Sequence, residues 1–224
     1  MRRGFTVALV GPDGSGKTTV ARRLEGQLPL PVAVMYMSIN PASGNHLLPT
    51  TWLGWVLRGR PQHIEAARWE HTFRTMSMAA EAVSMANQVA EEWYRALVAC
   101  LMVRHSRIVV LDRHYYYDYF ATDIVADGRR RTQRLHGYML QRYPRPHLTI
   151  YLDAPPEVLL ARKGEGTRES VGALRRELLE ALRSTGGGVI IDGTQPLDDV
   201  VQQVIACISD FAQASDLDPR VRPR

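Results

Sequence analysis

Short apolar runs along this chain are separated by longer stretches in which apolar and polar residues repeat with helical spacing. The runs fall near residues 6–10, 31–37, 108–111, 148–152 and 189–191. Runs of this kind are typical of strands, and the stretches between them predict helices. The third run is apolar throughout, as in a parallel strand covered on both faces. The pattern therefore predicts an α/β domain.

The longest helical repeat lies within residues 62–102. Apolar side chains recur at steps of three and four from Trp69 to Leu101, which predicts one helix face packed as a core seam. A straight helix over that length would measure about 50 Å, so we expect a kink or two helices. Asn87 is the polar member of the stripe, and either a protein group or the acceptor substrate would satisfy its amide.

Composition favours one domain over residues 1–215, followed by a flexible tail at 216–224. No apolar run approaches the length of a membrane span, so no membrane partner is expected. Cys100 and Cys207 lack CxxC neighbours and lie in helical patterns. We expect both to be small core residues in the reducing cytoplasm.

The net charge of +5 is compatible with nucleic acid or with small anions. The arginines are spread through several predicted helices and the C-terminal tail, which argues against one nucleic-acid-binding face. A site for a nucleoside triphosphate and an anionic acceptor also needs a surplus of arginine and lysine. The charge therefore favours a small-molecule phosphate acceptor over nucleic acid.

The first strand leads through a glycine-rich turn directly into a helical pattern, in the stretch TVALVGPDGSGKTTVARRL at residues 6–24. The turn fits GxxxxGK[ST], the phosphate-binding loop, whose backbone N–H groups surround a polyphosphate. Its lysine would reach the terminal phosphates, and the hydroxyl after it would bind Mg²⁺. The predicted ATP-binding residues here are Gly11, Gly14, Ser15, Gly16, Lys17, Thr18 and Thr19, with Lys17 also catalytic and Thr18 also a metal ligand.

Asp112 and Arg113 follow the third strand. Ligands bind at the carboxyl ends of parallel strands, so we expect Asp112 beside the metal and Arg113 on a phosphate, both as catalytic residues. A helix N-cap and a structural ion pair are the alternatives. Of the tyrosines that follow, Tyr117 is the candidate for stacking on the acceptor, although such aromatics are more often core residues.

Four motifs occur in the order GPDGSGKTT, DRH, LDAPPEVLLARK and IDGTQPLDDV. In this order the sequence resembles the thymidylate kinase group of P-loop nucleoside monophosphate kinases over nearly its whole length. The resemblance implies a three-layer P-loop kinase fold, with a five-stranded parallel sheet flanked by helices and a short lid at about 162–170. It also implies ATP and Mg²⁺ as the donor pair, and pairing as a homodimer.

The same resemblance assigns further residues. Asp13 would face the acceptor sugar, Arg162 and Arg168 would be catalytic lid arginines, and Thr194 would lie along the adenine. Thymidylate kinases carry Arg-Glu-Pro after the second strand, where this chain reads SINPASG at residues 38–44. The acceptor is therefore open between dTMP, another nucleoside monophosphate and a related small phosphorylated molecule.

The expected function is ATP-dependent phosphoryl transfer to such an acceptor. One alternative is a kinase for the hydroxyl of a nucleoside, sugar or antibiotic, in which Arg113 would have no acceptor phosphate to hold. Another is a nucleotide-dependent switch or nucleic-acid-associated ATPase, which would hydrolyse ATP without an acceptor. The proline- and glycine-rich loop at residues 38–61 is expected to cover the acceptor site.

Overall fold

The computed structural model describes residues 4–28, 30–37, 48–49, 51, 78–114, 142–164 and 166–217. Most of the predicted 38–61 loop, Tyr117 and the tail from residue 218 lie outside these residues. The same is true of the first part of the long helical repeat, so the predicted kink stays a prediction.

The five described strands lie where the apolar runs predict strands, and helices lie between most of them. The last helix ends two residues beyond the predicted domain end at 215. No helix in these described ranges combines the length and apolar character needed to cross a bilayer. The elements are β1 (Phe5–Val10), α1 (Lys17–Arg23), β2 (Val32–Tyr36), α2 (Met78–Arg104), β3 (Ile108–Asp112), β4 (Leu148–Asp153), α3 (Pro156–Lys163), α4 (Arg168–Ser184), β5 (Val189–Asp192) and α5 (Leu197–Leu217).

The five strands form one parallel sheet in the order β2-β3-β1-β4-β5, which confirms the predicted fold class. β1 is central, and Leu9 lies opposite Asp112 of β3 and Ile150 of β4. The carboxyl ends of these three strands therefore meet at one edge of the sheet. The glycine-rich turn leaves β1 at this edge.

Helices cover both faces of the sheet because successive side chains of a strand point to opposite faces. Val7 and Leu9 belong to a core with α1 and α5, whereas Ala8 and Val10 pack with α4. A third cluster joins α2 to β2 and β3. Apolar runs without polar positions follow directly from this arrangement, since neither face of the central strands is open to water.

The predicted core seam on α2 is wrong in the part that the structure describes. Leu97 and Leu101 are 57% and 45% exposed, and Cys100 is also exposed. The smaller Ala96 and Ala99 pack against the sheet instead. The prediction that Cys100 is a core residue is therefore wrong as well. Cys207 is a free thiol that packs, partly buried, against the main core, which is nearer to the predicted core position.

Three charged side chains occupy the buried face of α2 beside these alanines. Arg95 is 1% exposed and contacts Glu91 at 3.1 Å and Glu92 at 3.4 Å. Tyr143 donates a further hydrogen bond to Glu92. Buried charges persist only when they are paired, and these ionic groups satisfy one another. A pattern based on apolar residues alone could not identify this face.

Replacing Ile150 with alanine tests the interior position of β4, between β1 and β5. Its side chain is 0% exposed, so the variant should lose about 2–5 kcal/mol of unfolding free energy. Ile190→Ala in the neighbouring β5 is the control. Because Ile190 is 53% exposed, its replacement should lower the unfolding free energy by about 0.5 kcal/mol or less. Urea unfolding measures both, and equal losses would contradict the described sheet order.

Candidate active site

The phosphate loop depends on glycine at two positions for different reasons. Gly11 has φ 146°, and a Cβ there would lie 2.5 Å from the carbonyl oxygen of Leu152. Gly16 has φ 95°, and a Cβ there would meet no atom within 4 Å. Close packing and backbone conformation exclude a side chain at Gly11, whereas at Gly16 the conformation alone disfavours one. These constraints set the path of the loop between β1 and α1.

Lys17 is held inside this loop. Its ammonium donates to the carbonyl oxygens of Gly11 at 2.7 Å and Pro12 at 2.8 Å, and its side chain is 6% exposed. The loop backbone therefore fixes the lysine beside the surface of the site. From this position the ammonium can contact terminal phosphate oxygens with little movement.

Thr18 and Asp112 bring the loop and β3 together. The Thr18 hydroxyl donates to Asp112 Oδ2 at 2.6 Å. Asp112 is 2% exposed, yet its Oδ1 has no hydrogen-bond partner. A buried carboxylate oxygen without a partner is costly unless a cation or donor satisfies it.

These oxygens fit Mg²⁺, which binds through one or two protein ligands, substrate phosphates and water. No group of three or more His, Cys, Asp or Glu side chains that could hold a metal occurs in the described ranges. Thr18 and Asp112 are therefore the protein groups that suit a metal carried in with a nucleotide.

Arg113 reaches the same site because its backbone is left-handed. In an extended strand, residues 112 and 113 would point to opposite faces. Arg113 instead has φ 70°, uncommon for a residue with a side chain, and its guanidinium contacts Asp13 Oδ1 at 2.5 Å. The guanidinium also lies 5.8 Å from the centre of the Tyr36 ring. The turn thus places two consecutive charged side chains beside one loop.

Three cationic side chains lie around the carboxylate of Asp13. Besides Arg113, Lys163 contacts its Oδ2 at 2.7 Å and Lys17 lies 3.8 Å from Oδ1. Burial alone would raise the pKa of Asp13, but Arg113, Lys163 and Lys17 outweigh it and hold this pKa well below its usual value. Asp13 is therefore an ionised hydrogen-bond acceptor at neutral pH.

A cleft of about 490 Å³ extends over this loop. On its far side, Arg162 donates to the carbonyl oxygen of Gly193 at 2.9 Å, which joins α3 to the turn after β5. The Thr194 hydroxyl donates to Asp192 at 2.6 Å, while its neighbours Gly193 and Gln195 line the cleft. The volume of the cleft suits a small-molecule ligand, and its lining supplies four cations against one carboxylate among the described residues.

Gly11, Asp112 and Thr194 adjoin the cleft without lining it, whereas Arg168 and Asn87 make their contacts elsewhere. Arg168 begins α4 at the surface, where it is 74% exposed and pairs with Glu157. Asn87 on α2 donates to the Thr51 hydroxyl at 2.8 Å. This bond uses one of the two amide N–H donors of Asn87. The functional roles assigned to Arg168 and Asn87, and to Tyr117, stay predictions.

Lys163 and Tyr36 line the cleft but were not among the predicted site residues, although Lys163 lies within the predicted lid at about 162–170. Tyr36 is the last residue of β2, so its place at the ligand-binding edge follows from the sheet topology. The amino-acid composition could have identified Lys163, because the chain contains two lysines and the other is Lys17 of the phosphate loop.

The fold and site define an α/β P-loop phosphotransferase, with the glycine loop on β1 and the acidic residue at the end of β3. No established protein-family model matches the sequence. A probable thymidylate kinase of Pyrobaculum calidifontis is 30% identical over 213 residues, covering 90% of this chain and 94% of that protein. The chain therefore belongs to the thymidylate kinase family and is an ATP-dependent kinase.

Two further comparisons agree with this assignment. The thymidylate kinase of Lactobacillus helveticus is 26% identical over 92% of this chain and 96% of its own length. The solved structure of thymidylate kinase from Candida albicans superimposes with a TM-score of 0.64 at 19% identity, covering 93% of this chain and 92% of that one. The structural likeness establishes the fold.

The two loop glycines should differ in their tolerance of alanine. Gly16→Ala should lower the unfolding free energy by about 1–2 kcal/mol, because alanine is strained in a left-handed backbone. Gly11→Ala should lose about 1–3 kcal/mol more, because its Cβ would also press on the Leu152 carbonyl. Gly172→Ala within α4 is the control. Its Cβ would meet no atom closer than 3.7 Å, and it should gain about 0.5–1 kcal/mol.

Urea unfolding of the three purified variants measures these differences. A Gly16 variant as destabilised as the Gly11 variant would contradict the described loop path.

Proposed function

We propose that this protein transfers the γ-phosphoryl group of ATP to a nucleoside monophosphate in the presence of Mg²⁺. The observation that carries the proposal is the pairing of Thr18 with Asp112 beside Lys17, with Arg113 on the same side of the sheet. The relatives named thymidylate kinase make dTMP the first acceptor to test.

On the donor side, the loop from Gly11 to Thr19 would bind the phosphates of ATP. Thr18 and Asp112 would hold Mg²⁺, which screens charge on the terminal phosphates when bound. Lys17 is already desolvated in the loop and adds a positive charge that needs little movement to contact the phosphates. Positioning and charge neutralisation are the main requirements of phosphoryl transfer, and these groups supply both.

On the acceptor side, Arg113 offers a planar pair of donors for a monophosphate. Asp13 offers an ionised carboxylate that can accept a hydrogen bond from a sugar hydroxyl. Asn87 and Tyr117 are proposed as further acceptor contacts. Since SINPASG supplies no arginine after β2, we assign recognition of the acceptor phosphate to Arg113.

Arg162 is proposed to act next to the transferring group. Its guanidinium is anchored at the cleft wall by the Gly193 carbonyl, whereas Arg168 would have to leave Glu157 to reach the cleft. Thr194 is proposed to lie beside the adenine, because its neighbours line the same wall. Pairing as a homodimer and residence in the cytoplasm stay predictions from the sequence.

ADP formation measured against a panel of acceptors tests the proposal. With ATP and Mg²⁺, dTMP or another nucleoside monophosphate should raise ADP formation well above the acceptor-free rate, and chelation of Mg²⁺ should abolish the increase. A response only to nucleosides, sugars or antibiotics would instead indicate a hydroxyl kinase. Hydrolysis that needs no acceptor, or that responds to DNA or RNA, would indicate an ATPase and contradict the proposal.

Replacing Arg113 with methionine should change the KM for the acceptor much more than the KM for ATP. Loss of a charged hydrogen bond to the acceptor phosphate should raise the acceptor KM about 10- to 100-fold. The KM for ATP should change by about threefold or less. Methionine has a side chain of similar length and meets the same left-handed backbone, so effects on folding should be small.

Arg23→Met is the matched control for that variant. Arg23 pairs with Asp198 on the surface at 3.1 Å, with side chains 55% and 84% exposed. Steady-state kinetics with each substrate varied in turn measures both variants. An equal rise in both KM values for Arg113→Met would remove the assignment to the acceptor phosphate.

A further inference from the structure

Lysine is rare in this chain and is found at only two positions. Of the 28 basic residues of the Lys and Arg types, 26 are arginines, and the lysines are Lys17 and Lys163. Lys17 belongs to the phosphate loop, where the motif requires a lysine. No motif requires one at position 163. A sequence that uses arginine almost everywhere thus places its second lysine at the end of α3.

The fold brings both ammonium groups to one carboxylate. Lys17 Nζ lies 3.8 Å from Asp13 Oδ1, and Lys163 Nζ lies 2.7 Å from Asp13 Oδ2. Asp13 and Lys163 are 150 residues apart in the sequence, so local structure does not produce this contact. Lys163 also lines the cleft with Arg113 and Arg162. The second lysine therefore belongs to the same site as the first.

The elements around Lys163 fix the position of its backbone. α3 starts after Pro155 and ends at Gly164, whose φ of 71° turns the chain away from the helix. The adjacent Arg162 is tied to the Gly193 carbonyl across the cleft. These restraints hold the end of α3 at the edge of the cleft, and the long Lys163 side chain reaches into it.

A lysine side chain exchanges one hydrogen-bonding partner for another more readily than an arginine side chain does. Its ammonium is a compact charge on a flexible stem with three donors, whereas the planar arginine fork favours one fixed geometry. The Lys163 and Asp13 side chains are 37% and 40% exposed, and ion pairs at such exposure are weak. A phosphate oxygen in the cleft can therefore compete with Asp13 for Lys163.

We propose that Lys163 is a second phosphate-contacting lysine of the active site. Asp13 holds its ammonium at the cleft, and Lys163 donates to the oxygens of the transferring phosphoryl group once the nucleotide binds. The inference rests on the proposed phosphoryl transfer and adds a catalytic residue to it. It also accounts for Asp13 having three cationic partners, since Lys163 can leave while Arg113 and Lys17 still balance the carboxylate.

Chemical labelling of the unmodified protein tests the contact without measuring turnover. Pyridoxal phosphate forms an imine with a lysine amine, releasing water, and borohydride then reduces the imine to a stable amine. Peptide mapping by mass spectrometry gives the extent of reaction at each lysine. Saturation with the non-hydrolysable ATP analogue AMP-PNP and Mg²⁺ should lower labelling of Lys163 about tenfold, in step with site occupancy.

The outcomes of labelling are distinct. Protection of both lysines supports the proposal. Protection of Lys17 with unchanged labelling of Lys163 would overturn it while leaving nucleotide binding intact. If neither lysine is protected, the nucleotide does not bind at this loop, and the proposed function fails together with the inference.

Substitution tests the catalytic contribution. Lys163→Met should lower kcat about 10- to 100-fold, less than the 10³ to 10⁵ known for arginine fingers, because Lys163 is partly solvated. The KM for ATP should change by about threefold or less. Lys163→Arg should recover part of kcat because it keeps the charge.

Arg176→Met, at an exposed position of α4, is the control and should keep wild-type kinetics. Thermal unfolding of each variant checks that the fold is retained. A folded Lys163→Met enzyme with the wild-type kcat would overturn the catalytic role.

Discussion

The register between β1 and β3 is the constraint on which the whole site depends. Leu9 lies opposite Asp112, so the phosphate loop and the acidic residue leave the sheet at the same level. The Arg113 N–H continues this pairing with a hydrogen bond to the Leu9 carbonyl at 3.3 Å. A slip of one residue would move Asp112 to the opposite face and separate it from Thr18. Ile108 and Val110 pack in one core and Val109 and Leu111 in another, so a slip would also exchange closely packed side chains between the two.

The second organising feature is the concentration of positive charge around one carboxylate. Arg113 follows β3, Lys17 begins α1 and Lys163 ends α3, and mutual repulsion would separate these cations without Asp13. The low pKa of Asp13 keeps that carboxylate ionised, so the cations are already in place before substrate phosphates are neutralised. Preorganised charge of this kind needs little rearrangement during the reaction and is an efficient source of transition-state stabilisation.

Local signals were sufficient for the strands and the phosphate loop, because apolar runs and glycine spacing report on nearby residues. They failed on α2, where Glu91, Glu92 and Arg95 satisfy one another in the interior. They also could not predict the left-handed Arg113 or its contact with Asp13, 100 residues away. Such features depend on tertiary packing, which a pattern within one segment does not contain.

The same distinction explains why the donor side is easier to predict than the acceptor side. The phosphate loop supplies most donor groups from one short segment, whereas proposed acceptor contacts come from that loop, β3 and α2. The segment after β2 is joined to α2 through Glu91, which accepts hydrogen bonds from the Leu48 N–H at 3.1 Å and the Thr51 hydroxyl at 2.6 Å. Asn87 donates to the same Thr51 hydroxyl. Because this network joins α2 to residues that lie 36 and 43 positions away in the sequence, the surroundings of Asn87 depend on tertiary packing that no pattern within one segment contains.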